Sequence, residues 1–110
     1  MAVKAVKTVE EFQTVINAKE ICVIDFYADW CGPCRLIAPV LDRISQTITS
    51  IKFYKVNIDN VPNAAVDVHS VPTFRFYAAG EKVDEFVGAD EASLKSKIFS
   101  YAGQTTRGSL

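Results

Sequence analysis

Cys31 and Cys34 stand two residues apart, with Gly32 and Pro33 between them and Trp30 just before. Two thiols at this spacing can close a small ring, so the pair can hold two electrons as a dithiol and release them as a disulfide. A helix that begins at the first cysteine aims unpaired backbone N–H groups at its sulfur and stabilises the thiolate. Because the thiolate is the attacking species, this raises the reactive fraction of Cys31 near neutral pH. Cys34, about one helical turn further on, can then attack the mixed disulfide that Cys31 forms. The same spacing serves zinc, but a structural zinc needs four ligands. Only Cys22 and His69 remain as further soft ligands, and no second close cysteine pair exists, so a redox dithiol is the reading adopted.

Other residues could join this chemistry. Asp25 interrupts the apolar run 21–27. A carboxylate in a strand covered on both faces is costly, and desolvation raises its pKa, which suits a general base. The alternative is a charge pointing to solvent at a strand end. Val71, Pro72 and Thr73 form a turn before a strand. Trp30, beside a reactive thiol, is either a contact residue or ordinary packing. Lys55 reads as a surface charge, Cys22 as a small core residue and His69 as a surface residue.

The elements that must position these residues follow from the patterning. Hydrophobic residues make up 49% and charged residues 23% of 110, which is one soluble packed domain, predicted over 1–103 with a polar tail at 104–110. Twelve basic against thirteen acidic side chains leave a net charge of -1, too balanced for a nucleic-acid partner. The chain offers neither an apolar leader nor a membrane span, and three cysteines without a secretion signal point to a reducing compartment, the cytoplasm. Residues 3–7 are β-prone, and Thr8 with Glu11 reads as a capping box opening a helix. The run 21–27 is a central strand, and Ile37, Val40, Leu41, Ile44 and Ile48 recur at helical spacing, with a kink expected at Pro39. Residues 51–58 are strand-like and 62–68 are predicted as a short helix begun by Pro62. Strands at 73–77 and 82–87 form a hairpin, and a last helix runs from a cap at Asp90 to a stop at Gly103.

This order, β, α, β, α, β, α, β, β, α, together with Trp30–Cys34, resembles the thioredoxin family over almost the whole chain. The resemblance implies an α/β fold in three layers, a central mixed sheet of about five strands flanked by four helices. It implies a thiol–disulfide oxidoreductase that reduces protein disulfides, with Cys31 as the exposed nucleophile and Cys34 as the buried resolving thiol. Asp25 would lie beneath Cys34 and assist its deprotonation, with Lys55 as its neighbour. The bond before Pro72 would be cis, with Val71 binding an extended target segment through its backbone, beside a shallow surface of Trp30, Gly32, Pro33, Thr73, Gly88 and Ala89. No bound cofactor is implied. Electrons would come from a thioredoxin reductase using NADPH and go to disulfide-containing proteins such as peroxiredoxins or reductases, the carrier acting as a monomer. Tyr27, Arg35 and Ser70 stand where the best-known bacterial members have tryptophan, lysine and glycine, which bears on partner preference. Relatives that oxidise or isomerise disulfides usually carry histidine where Pro33 stands. The competing class is a binding module on the same scaffold.

Overall fold

A computed structural model describes residues 2–107. Five strands and three helices alternate along the chain: β1 (Val3–Ala5), α1 (Val9–Ile16), β2 (Cys22–Tyr27), α2 (Gly32–Thr47), β3 (Lys52–Asn57), β4 (Thr73–Ala78), β5 (Glu81–Val87) and α3 (Glu91–Arg107). The sheet order is β1-β3-β2-β4-β5. β2 is parallel to β3 and antiparallel to β4, so it sits at the centre of a mixed sheet.

The side-chain alternation of β2 divides the interior. Val23 faces a core completed by Ile37, Leu41 and Ile44 of α2 and by Leu94 and Ile98 of α3. Ile24 and Phe26 face the other way, onto Phe12 and Ile16 of α1. Asp25 shares the face of Val23 and therefore lies under α2. Three layers result, with helices covering both faces of the central strand.

Local signals account for most of the boundaries. Thr8 caps α1 by accepting the Glu11 N–H at 3.0 Å, while the Glu11 carboxylate takes the Lys7 N–H at 2.6 Å. The reciprocal arm of the box thus lands one residue earlier than the sequence pattern predicts. Pro39 lies inside α2, which continues past it. Ala79 and Gly80 both have positive φ, 52° and 87°, the backbone that a two-residue hairpin loop needs.

Two expectations are corrected. The sheet carries three α-helices, not four, because residues 62–68 form only a 3-10 turn at Pro62–Ala64. Its flanks leave helical geometry at Val61 and Ala65, and beyond them the Asp67 carbonyl accepts from Arg75 Nη2 at 3.2 Å. Gly103 does not stop the last helix, which runs on to Arg107. A glycine in a helix interior costs about 1 kcal/mol relative to alanine, and a long helix absorbs that. The predicted tail therefore begins within α3, and residues 108–110 lie outside the described residues.

Candidate active site

Cys31 is the N-cap of α2, with extended backbone, and its sulfur accepts the Cys34 backbone N–H at 3.1 Å. Pro33 occupies the first turn, where a missing N–H costs nothing. Cys31 and Cys34 are joined by a disulfide, their Cα atoms 5.3 Å apart. The sulfur that a helix N-terminus can stabilise is therefore that of Cys31, as the spacing implied. The expected contrast between an exposed Cys31 and a buried Cys34 is absent in this oxidised form, where each is 4% exposed. Cys31 packs in a cluster with Ala28 and Cys34, against which Val71 lies.

Beneath the disulfide lies a cavity of about 150 Å³ lined by Asp25, Tyr27, Cys34, Arg35, Ala38 and Lys55. Such a space, with polar groups in its wall, has room for water. Asp25 is 4% exposed, and its Oδ1 has no hydrogen-bond partner among the described residues. Burial pushes its carboxyl up to about 7, with Lys55 pulling it down and Asp42 adding to the rise. Lys55 is the register partner of Asp25 on β3, and its ammonium lies 5.8 Å from the centre of the Tyr27 ring. Of the alternatives open in the sequence, the buried carboxylate is the one observed, because β2 is central in the sheet and α2 lies over the face that carries Asp25.

On the other side of the dithiol, the Val71–Pro72 peptide bond is cis. The Val71 carbonyl oxygen lies 3.7 Å from Cys31 Sγ, within reach of a thiol donor in the reduced chain. Pro72 and Thr73 are buried and anchor this loop: Thr73 donates its hydroxyl to Ser70 O at 2.6 Å, and the Gly88 N–H donates to Pro72 O at 2.9 Å. Gly88 has φ 111°, a conformation that favours glycine. Trp30 is 68% exposed; Pro33 is exposed, and Gly32, Val71, Gly88 and Ala89 are half-buried.

Sequence reasoning passed over three supports. Asp59 accepts the Trp30 indole N–H at 3.0 Å and holds the ring at the surface. Arg35 donates to Asp29 O at 2.6 Å, bracing the segment that leads into α2. Arg75 is a buried cation in β4; its signal was present, as a lone charge in the run Thr73–Ala78. Cys22 is buried, with its sulfur 3.8 Å from Val15 O, and burial pushes its thiol up to about 11. His69 is at the surface. No group of three histidine, cysteine, aspartate or glutamate side chains is placed to hold a metal among the described residues.

The family model for thioredoxin matches residues 3–100. The chain belongs to the thioredoxin family. It is 40% identical over 102 residues to Thioredoxin 1 of Plasmodium falciparum, an alignment covering 91% of this chain and 98% of that one. The solved thioredoxin of Malassezia sympodialis superposes with a TM-score of 0.88 at 38% identity, covering 91% of this chain and 90% of its own. A chain from a structure concerned with the thiol resolving mechanism of yeast mitochondrial 1-Cys peroxiredoxin, via glutathione and thioredoxin systems, superposes at 0.83 with 30% identity, covering 90% of this chain and 95% of its own. Like other thioredoxins, the chain is a thiol–disulfide oxidoreductase with a redox-active cysteine pair, and it acts on disulfide-containing targets.

Proposed function

We propose that the chain is a protein-disulfide reductase in which Cys31 attacks, Cys34 resolves and Asp25 moves the proton between them and solvent. The observation that carries this assignment is the Cys31 sulfur at the N-cap of α2, with the Asp25 cavity opening onto Cys34. In the reduced chain, Cys31 thiolate attacks one sulfur of a target disulfide and expels the other as a thiolate. Cys34 gives its proton to the Asp25 carboxylate, directly or through water in the cavity, and attacks Cys31 Sγ. The mixed disulfide breaks, the target leaves as a dithiol once protonated, and the Cys31/Cys34 dithiol has given up two electrons to become the disulfide. Lys55 steadies the Asp25 carboxylate after the proton moves on.

Trp30, Gly32, Pro33, Val71, Gly88 and Ala89 offer the target a shallow apolar surface, and the Val71 backbone pairs with an extended segment of the target, a short form of strand addition. Both electrons reside on the two sulfurs, so the cycle calls for no bound cofactor. A thioredoxin reductase drawing on NADPH would restore the dithiol, and peroxiredoxins are one target class, suggested by the yeast relative's context. We place the carrier in the cytoplasm, as a monomer.

The test is reduction of insulin with dithiothreitol as donor. The parent chain should precipitate the insulin B chain, and Cys31→Ser should lose all activity above the donor alone. Cys34→Ser should trap covalent mixed disulfides with target proteins. Equal background rates for parent and Cys31→Ser would overturn the assignment.

A further inference from the structure

Arg75 is 4% exposed on a strand whose neighbours are Phe74, Phe76 and Tyr77. A buried guanidinium is costly unless paired, and an apolar side chain would fill such a site at lower cost. Its five donors form a rigid fork, and their distribution suggests what the charge adds. Nε donates to Glu85 Oε2 at 2.7 Å, Glu85 being its register partner on β5. The guanidinium carbon lies 5.2 Å from the centre of the Phe26 ring on β2. Both contacts fix the group to the sheet. Nη1 also donates to the Tyr77 hydroxyl on the same strand at 3.5 Å, and the two Nη nitrogens reach out of the sheet to Asp67: Nη1 donates to Asp67 Oδ1 at 2.9 Å and Nη2 to Asp67 O at 3.2 Å.

Asp67 belongs to the irregular segment between Pro62–Ala64 and β4, four residues before Val71. An arginine that grips both the carboxylate and the carbonyl of one residue fixes its backbone as well as its side chain. We infer that the Arg75–Asp67 clamp sets the position of the Val71 backbone over Cys31, making both residues positioning residues for protein targets. The inference rests on the proposal that Val71 pairs with an extended target segment. A small disulfide has no such segment and needs only the sulfur of Cys31, so the clamp acts on protein substrates alone.

Asp67 is mostly exposed and Glu85 still pairs the guanidinium in its absence, so Asp67→Ala removes no buried side chain, and its far-UV spectrum and urea midpoint serve as the folding check. Steady-state reduction of insulin and of hydroxyethyl disulfide, with dithiothreitol as donor, is compared for the parent, Asp67→Ala, Asp67→Asn and Pro72→Ala. The expected result for Asp67→Ala is a KM for insulin raised roughly fivefold, about 1 kcal/mol of lost positioning, with kcat and the hydroxyethyl disulfide rate unchanged. Asp67→Asn, which keeps an acceptor for Nη1, should recover part of the KM. An unchanged KM in Asp67→Ala with a raised KM in Pro72→Ala overturns the clamp and leaves Val71 docking standing. An equal loss on both disulfides overturns it in favour of a purely structural role. If neither variant raises the KM, Val71 docking itself falls and the clamp falls with it.

Discussion

A carboxylate on the central strand, roofed by α2 and with Oδ1 unpartnered, holds its proton more tightly in the folded chain than in the unfolded one. Between the ordinary value of 3.8 and the folded value of about 7, folding takes up a proton, so stability falls as pH rises through that window and levels off above it. The whole effect is up to about 4 kcal/mol. Asp25→Asn removes it: the variant should be more stable than the parent by a few kcal/mol at about pH 8 and close to it at about pH 4. Urea unfolding of the oxidised chain at both pH values checks this, and an equal gain at both would count against a buried, elevated Asp25. The same variant should lengthen the life of a Cys31 mixed disulfide at neutral pH, because Cys34 loses its proton acceptor. Cys22 behaves oppositely to Cys31. With its thiol pushed up to about 11, roughly one part in a thousand is thiolate at about pH 8. Brief treatment of the reduced chain with iodoacetamide should therefore modify Cys31 and spare Cys22, as peptide mass spectrometry would read. Rapid modification of Cys22 would mean that the strand opens.

At the scale of elements, what could be read in advance was whatever had a local cause. The cap at Thr8, the apolar stripe of α2 and the dithiol at the head of that helix each depend on residues within a few positions of one another. Asp25 was visible as an anomaly, but its burial depends on β3 and β4 flanking β2, which no local pattern states. The short helix expected at 62–68 stops after one 3-10 turn, where the backbone leaves helical geometry at Ala65, and Asp67 beyond it is held by Arg75 of β4, a partner that the local pattern does not name. Gly103 was misjudged because a glycine signal marks a stop only when the backbone adopts positive φ there, as it does at Gly80 and Gly88. Gly80 is also tied to α1, its N–H donating to Ile16 O at 2.7 Å, and a Cβ there would come 2.5 Å from Asn17 Oδ1. Gly80→Ala should therefore cost about 1–2 kcal/mol of stability, through positive φ and crowding together. Thermal unfolding would show a lowered Tm with insulin reduction unchanged at room temperature. A Tm equal to the parent's would mean that the turn and Asn17 adjust without strain.

For the molecule as a whole, the two cores are separate in composition but not in support, because β2 supplies residues to both. Val23 belongs to the core under α2 and α3, and Ile24, its neighbour in sequence, to the core under α1. Neither layer can come away without exposing the strand that holds the other, which also carries Asp25 and leads to Cys31. Unfolding should therefore be one transition, as for most single domains of this size. Val23→Ala and Ile24→Ala each remove a fully buried side chain, from opposite faces. Each should lower the same midpoint, Ile24→Ala by about 2–5 kcal/mol and Val23→Ala by less, since fewer methyl groups are lost. The chain's one tryptophan, Trp30, reports the active-site end, while far-UV circular dichroism reports all the helices. In urea the two signals should trace one curve in the parent and shift together in both variants. If Ile24→Ala separated them, with α1 lost before the environment of Trp30 changed, the α1 layer would be an independent unit, and the dithiol would rest on one face of the sheet alone.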